Sequence, residues 1–337
     1  MPTLRRASGC LFGLAFGDAL AAPTEFMSVN AILKHYPPDG PQELEGNPAR
    51  VTDDTQMTIA VGMALMQASR PYTMEKLEPL LRRSFVAWMR SPDNNRAPGN
   101  TCMQACRRLE QGLPWQEATV HTSKGCGANM RVAPVGLLPG GKRGIPEETR
   151  AAIAQFQGAM THGHPTALAA SDLTAKAIAL LVATHPPQEL PGLLRDYAHK
   201  QRSVYHADWL GDLWHHAGAS SPTAYIEQGW DECLGVLERL DSALAHPDRE
   251  SDPCLATGAG WIAEEAFATG LLCFLLFPND PLAALRRAAV TSGDSDSIAC
   301  LTGAFAGAYH GFSVWPKDWI KRIEYAGQLA MLGALWE

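Results

Sequence analysis

The chain lacks any run of alternating β-branched and polar residues, which removes the main sequence signal for a half-buried strand. It also lacks a long apolar run. The longest uninterrupted bulky apolar stretch, Leu271–Phe277, falls far short of the roughly 20 residues a spanning helix needs, so no transmembrane helix is expected. Basic charge is scarce: 28 Lys and Arg against 35 Asp and Glu give a net charge of −7, the opposite of the basic surface a general nucleic-acid binder carries. The eight cysteines are scattered, and the nearest pair, Cys102 and Cys106, has the spacing of one helix face rather than of a zinc knuckle. They read as reduced thiols in a cytoplasmic protein. No repeat with a period of about 20–50 residues recurs, which excludes a solenoid. No linker-like segment divides the 337 residues, so one domain over 1–337 is expected.

What the chain does have is apolar spacing of helical period almost throughout. It predicts helices near 3–21, 53–69, 73–90, 99–111, 147–160, 164–184, 189–201, 205–218, 222–245, 260–276, 281–290, 297–311 and 316–334, hence an all-α, multi-helix orthogonal bundle. The first of these follows Arg5-Arg6 and ends in Ala19-Leu20-Ala21-Ala22, imitating a signal peptide. Asp18 interrupts that apolar stretch, and Gly9, Gly13 and Gly17 recur every four residues, which marks a retained helix with a face open to another backbone. Gly303, Gly307 and Gly311 repeat the spacing. An antiparallel crossing of the two stripes would bring Glu25, just beyond the first helix, to the acidic start of the second.

That acidic start, Thr291-Ser292-Gly293-Asp294-Ser295-Asp296-Ser297, sets two carboxylates at i and i+2. Thr52-Asp53-Asp54 forms a second cluster, whose consecutive side chains diverge in a strand but converge at a helix start. Either cluster alone reads first as a helix cap, since Asp and Ser lead the cap preferences and suit the helix dipole. Two such clusters read as the half-sites of a dinuclear metal site, and oxygen-only donors favour Mg²⁺ or Mn²⁺.

Other segments carry less. Ser123–Arg131 holds glycines that permit close approach to a ligand, and alone reads as an ordinary loop. Thr161-His162-Gly163-His164-Pro165 opens a helix, and its His pair is a weak zinc signal, with capping or core roles the default. Gly136–Arg143 imitates a P-loop, but Arg143 replaces the Ser or Thr that would hold Mg²⁺ and Pro134 spoils a preceding strand, so a surface loop is expected. The Pro- and Gly-containing stretch Met27–Arg50 suits a movable cover. Trp209, Trp214, Tyr225 and Trp230 read as core, and Trp261–Glu265 as a core-facing helix.

Taken together, Gly17-Asp18-Ala19-Leu20, Glu25, Thr52-Asp53-Asp54-Thr55 and Gly293-Asp294-Ser295-Asp296-Ser297 resemble the ADP-ribosylglycohydrolase family, which includes the dinitrogenase-reductase-activating glycohydrolase and ADP-ribosylarginine hydrolases. The resemblance runs from about Gly9 to Gly311. It implies a hydrolase with two divalent cations, Mg²⁺ or Mn²⁺, held by Thr52, Asp53, Asp54, Asp294, Asp296 and Ser297, with Glu25 and Asp296 in the chemistry. It further implies that Ser123, Gly125 and Gly127 lie against the ADP-ribose and His162 near its ribose. Three positions depart from the family pattern: Ser297 stands where many relatives have threonine, Cys126 where several have asparagine, and Lys124 where one subgroup has an aromatic that stacks on adenine.

The implied partner is an ADP-ribosylated protein, cleaved at the N-glycosidic bond to arginine; the alternatives are an O-linked ADP-ribose, on serine or an acetyl ester, or an immunity protein that neutralises an ADP-ribosyltransferase toxin by binding it. A structural descendant without activity would have no need of four grouped carboxylates.

Overall fold

The computed structural model describes residues 4–141 and 144–337. Its helices of six or more residues are α1 (Arg6–Ala21), α2 (Val29–His35), α3 (Asp53–Gln67), α4 (Met74–Arg90), α5 (Asn100–Glu110), α6 (Glu147–Ala159), α7 (Pro165–Val182), α8 (Leu190–Gln201), α9 (Pro222–Ala245), α10 (Ala263–Leu276), α11 (Pro281–Ala288), α12 (Ser295–His310), α13 (Lys317–Arg322) and α14 (Ala326–Leu335). Among the described residues there is no strand, only isolated backbone bridges joining Ala49 to Ile323, Val120 to His162 and Gly125 to Ile262. The fold is all-α, as the periodicity predicts.

Helices α1 and α12 are small or apolar on nearly every face, and such helices belong in a core. Every residue from Ala7 to Ala21 and from Ser295 to Ala308 is buried. The two cross with backbone against backbone: a Cβ built on Gly9, Gly13 or Gly17 would overlap the backbone of Gly307, Gly303 or Ala299. As one sequence ascends the other descends, so the pair is antiparallel and the C-terminal end of α1 meets the N-terminal end of α12. Around this axis, α10 and α11 pack on α12, α14 on α1, α3 between α4 and α14, and α7 between α6 and α9. The outer α4 buries Leu77, Leu81, Phe85 and Trp88, one stripe of an otherwise polar helix. By length and composition α7 is apolar enough to cross a membrane, yet 78% of it is buried inside the protein, as befits a core helix.

Several predicted elements differ. The expected helix 205–218 is two single turns, Ala207–Leu210 and Leu213–His216, because Gly211 adopts φ +53° between them. The expected helix 316–334 breaks into α13 and α14, since Ile323 is extended and Tyr325 is left-handed, where the chain pairs with Ala49. Met27–Arg50 is fastened rather than loose: it contains α2, Arg322 donates to the carbonyls of Leu44 (3.1 Å) and Gly46 (3.0 Å), and Trp319 Nε1 donates to Glu43 Oε2 at 2.7 Å. The P-loop imitation begins in the helical turn Ala133–Gly136; its Lys142 and Arg143 lie outside the described residues. Helix α12 starts at Ser295, which places Asp296 inside its first turn. The remaining predicted boundaries fall within three residues of those observed.

The glycine crossing is testable by a single methyl group. Gly303→Ala, whose Cβ would overlap the Gly13 carbonyl, is expected to destabilise the protein by about 1–3 kcal/mol or more, as overpacking against backbone does. Gly235→Ala on α9, where a Cβ meets nothing within 4 Å, is expected to be neutral or mildly stabilising. Denaturant midpoints of the two variants check the contrast.

Candidate active site

The site is assembled by a carboxylate that lines no cleft. Asp18, near the end of α1, is fully buried, and it accepts the Thr52 N–H at 2.9 Å, the Thr55 N–H at 3.1 Å and the Thr55 hydroxyl at 2.5 Å. An anion at a helix N-terminus satisfies free amides and suits the dipole, so Asp18 locks the start of α3 to the end of α1. Thr52 then caps α3, its hydroxyl accepting the Asp54 N–H at 3.3 Å, and Asp53 and Asp54 follow in the first turn. The Gly99 N–H donates to Asp53 Oδ2 at 3.2 Å and orients it.

The second half-site is anchored in a similar way. The Asp294 N–H donates to the Ala259 carbonyl at 2.8 Å, and the Ser297 N–H donates to Asp296 Oδ1 at 3.0 Å. Between the halves, the Thr24 hydroxyl bonds the carbonyls of Ala21 (2.8 Å) and Ala289 (2.9 Å) and the Ser295 hydroxyl (3.0 Å). That buckle fixes the turn Ala22–Thr24 and delivers Glu25, as the antiparallel stripes predict. Oxygens of Glu25, Asp294 and Asp296 all lie within 4.8 Å of one another.

These groups floor a cleft of about 300 Å³ that also receives Asp53, Asp54 and Ser297. Burial, reinforced by Asp296 and Asp53, pushes the Glu25 carboxyl up to about 9. Burial also raises Asp18 and Asp53 to about 7, and lifts Asp54, Asp294 and Asp296 above the usual carboxylate range. No lysine or arginine among the described residues forms an ion pair with any of them. One buried oxygen, Asp54 Oδ2, has no hydrogen-bond partner. Like charges crowded out of water without a counterion are unfavourable, and a hard divalent cation is what such an oxygen set fits.

The other predicted residues divide. Gly125 and Gly127 line the cleft, and a Cβ on Gly127 would lie 2.9 Å from Cys102 Sγ and 3.0 Å from the His162 ring, so the wall is tight there. His162 also lines it; its Nδ1 is 2.8 Å from the Thr161 hydroxyl, and burial together with nearby Arg131 holds the ring neutral. Ser123 does not line the cleft: it stands behind the wall, its hydroxyl 2.9 Å from that of Thr101, which does. Thr52 faces an adjoining cavity rather than the main cleft. Lys124 is bound to Glu232 (2.5 Å) and Glu264 (2.6 Å) instead of the cleft. His164 caps α7, accepting the Thr166 N–H at 3.2 Å.

Sequence reasoning missed what three contributors do. Asp18 was marked as an acid interrupting an apolar helix and as part of the Gly17-Asp18-Ala19-Leu20 motif, with no role attached to it. Trp261, expected on a core-facing helix, precedes α10, is 42% exposed, and stacks on Phe26, itself 70% exposed, with centroids 5.5 Å apart and planes 16° from parallel. The pair forms the rim of the cleft. The segment Ala97–Cys102 makes another wall and carries no motif to announce it.

Comparison with known proteins places this arrangement. A family model described as ADP-ribosylglycohydrolase matches residues 1–337. The ADP-ribosyl-(dinitrogen reductase) glycohydrolase of Rhodospirillum rubrum is 25% identical over 327 residues, covering 95% of this chain and 90% of that protein. ADP-ribosylarginine hydrolase Tri1 of Serratia proteamaculans is 25% identical, covering 95% of this chain and 76% of its own length. ADP-ribosylhydrolase ARH3 of Homo sapiens is also 25% identical, covering 96% and 90%. A solved structure described as an ADP-ribosylglycohydrolase-related protein complex shares the fold with a TM-score of 0.67 at 22% identity, over 99% of this chain and 97% of that one. With the family model spanning it from end to end, this chain belongs to the ADP-ribosylglycohydrolase family of enzymes.

Proposed function

We propose that the protein removes ADP-ribose from a modified protein side chain, arginine in the first instance, by hydrolysing the N-glycosidic bond with two divalent cations, Mg²⁺ or Mn²⁺. The observation that carries this reading is the convergence of Glu25 with both acidic half-sites on one cleft. A relative named as an ADP-ribosylarginine hydrolase supports the choice of linkage. Eight free thiols accord with a reducing, cytoplasmic setting.

Thr52, Asp53, Asp54, Asp294, Asp296 and Ser297 are the oxygens that would hold the cations. When bound, divalent ions supply Lewis acidity and offset the repulsion among these carboxylates. Glu25, half-buried beside the acidic cluster, is the group that would take a proton from the attacking water once bound cations offset the burial and neighbouring carboxylates that raise its carboxyl, and Asp296 and Asp53 face the positive charge that develops on the ribose as the leaving group departs. Neutral His162 offers its free ring nitrogen to a sugar hydroxyl. Gly125 and Gly127 leave room for the ligand to meet backbone.

The experiment is release of ADP-ribose from modified arginine, modified serine and O-acetyl-ADP-ribose, with and without chelator. Release from arginine, lost on chelation and restored by Mg²⁺ or Mn²⁺, is expected; cleavage of serine or ester substrates alone would replace the arginine reading. Metal removal is also expected to lower the melting temperature, because an ion bound only by the folded state stabilises it. Full turnover after verified metal removal would sink the mechanism.

Two substitutions separate roles. Glu25→Gln keeps shape but not the proton acceptor, and is expected to slow turnover by about 10²–10⁴-fold while calorimetry still detects ADP-ribose binding. Asp296→Asn keeps cap chemistry, so helical circular dichroism should persist while elemental analysis finds less bound metal. A variant that retains two ions and normal turnover would reduce Asp296 to a helix cap.

A further inference from the structure

One thiol of the cleft wall lies directly against the acidic cluster. Cys126 lies on the glycine-rich wall with Sγ 2.9 Å from Asp294 Oδ2 and 3.3 Å from Ser297 Oγ, two of the oxygens assigned above to the cations. Its backbone is held on both sides: its N–H donates to the Trp261 carbonyl at 3.1 Å, and its carbonyl accepts from Asn129 (2.7 Å) and Met130 (2.9 Å). The thiol is therefore positioned by the framework.

A second observation points to a ligand independently. Asp54, 2% exposed and on the other helix start, lines the same cleft with Oδ2 unpartnered. The cleft wall thus sets a thiol against the carboxylate and hydroxyl of one half-site, with Asp54 of the other half-site carrying a buried, unpartnered oxygen. That is a mixed oxygen and sulfur donor set. Thiolate is a soft donor: it selects Zn²⁺ and similar ions, whereas Mg²⁺ and Mn²⁺ are served by oxygen alone.

We propose that Cys126 is a sulfur ligand of the cation site, which biases that site toward Zn²⁺ over Mg²⁺ or Mn²⁺. The proposal rests on reading the carboxylate cluster as a metal site. On binding, the thiol releases its proton to solvent and the sulfur coordinates as thiolate.

The test is titration of Co²⁺ into the metal-free full chain, followed by absorption and elemental analysis. A sulfur-to-cobalt charge-transfer band in the near ultraviolet is expected. Cys126→Ser is expected to bind cobalt without that band, and to lose about 10-fold or more in Zn²⁺ affinity with little change for Mn²⁺. Cobalt bound by the unaltered chain without the band, or a band that survives Cys126→Ser, overturns the sulfur ligand and leaves the carboxylate site standing. A chain that binds neither Co²⁺ nor Mn²⁺ overturns both readings. Should Cys126→Ser fail to fold, alkylation of the unaltered protein decides. Zn²⁺ should shield Cys126 while Cys254, the other partly exposed thiol, is labelled as before; equal labelling of Cys126 with and without Zn²⁺ refutes the proposal.

Discussion

Contact between two backbones, α1 against α12, is the constraint from which the rest of the structure follows. Side chains on either helix would separate the axes, and the ends that carry Asp18 and Asp296 would part with them. Because Gly9, Gly13 and Gly17 meet Gly307, Gly303 and Ala299, the end of one helix lies at the beginning of the other. Asp18 then captures the amides at the start of α3, and a third helix terminus joins the same point. Helix termini converge there because one buried carboxylate satisfies donors that would otherwise be left without partners.

The consequence is electrostatic. Glu25, Asp53, Asp54, Asp294 and Asp296 are gathered where water is scarce, and burial is the leading cause of every upward shift among them. A fold selected for stability alone would pair such groups with lysine or arginine. The nearest lysine on the glycine-rich wall, Lys124, instead neutralises Glu232 and Glu264 and so leaves the cleft acidic. Charge left uncompensated by the protein suits the cleft to cations, at the expense of stability.

Over the acidic floor stands an apolar mouth. Phe26 follows Glu25 directly in sequence and stacks on Trp261, so the acid proposed to handle the proton and half of the aromatic rim share one short segment. The glycine-rich wall is held in turn by the pairing of Gly125 with Ile262, beside Trp261, so rim and wall are parts of one hydrogen-bonded unit.

Helical class, the two acidic helix starts and the glycine stripes were legible in the sequence, because each is a local matter: 3.6-residue periodicity, cap chemistry and four-residue spacing act within a few turns. Even the antiparallel meeting of the stripes followed from where Glu25 and Asp296 sit along the chain. Contacts made far away decided the remainder. Gly211 stops a helix whose apolar spacing continues through it, and pairing with Ala49 breaks the helix expected to run from 316 to 334. Trp261 is exposed because α10 begins only at Ala263, and Lys124 leaves the cleft because α9 and α10 each present it a glutamate. Asp18 is the clearest case: its sequence neighbours are apolar or small, and its role is set by amides more than thirty residues further on. Periodicity and capping belong to a segment, whereas a buried charge takes its meaning from whichever donors the tertiary fold brings to it.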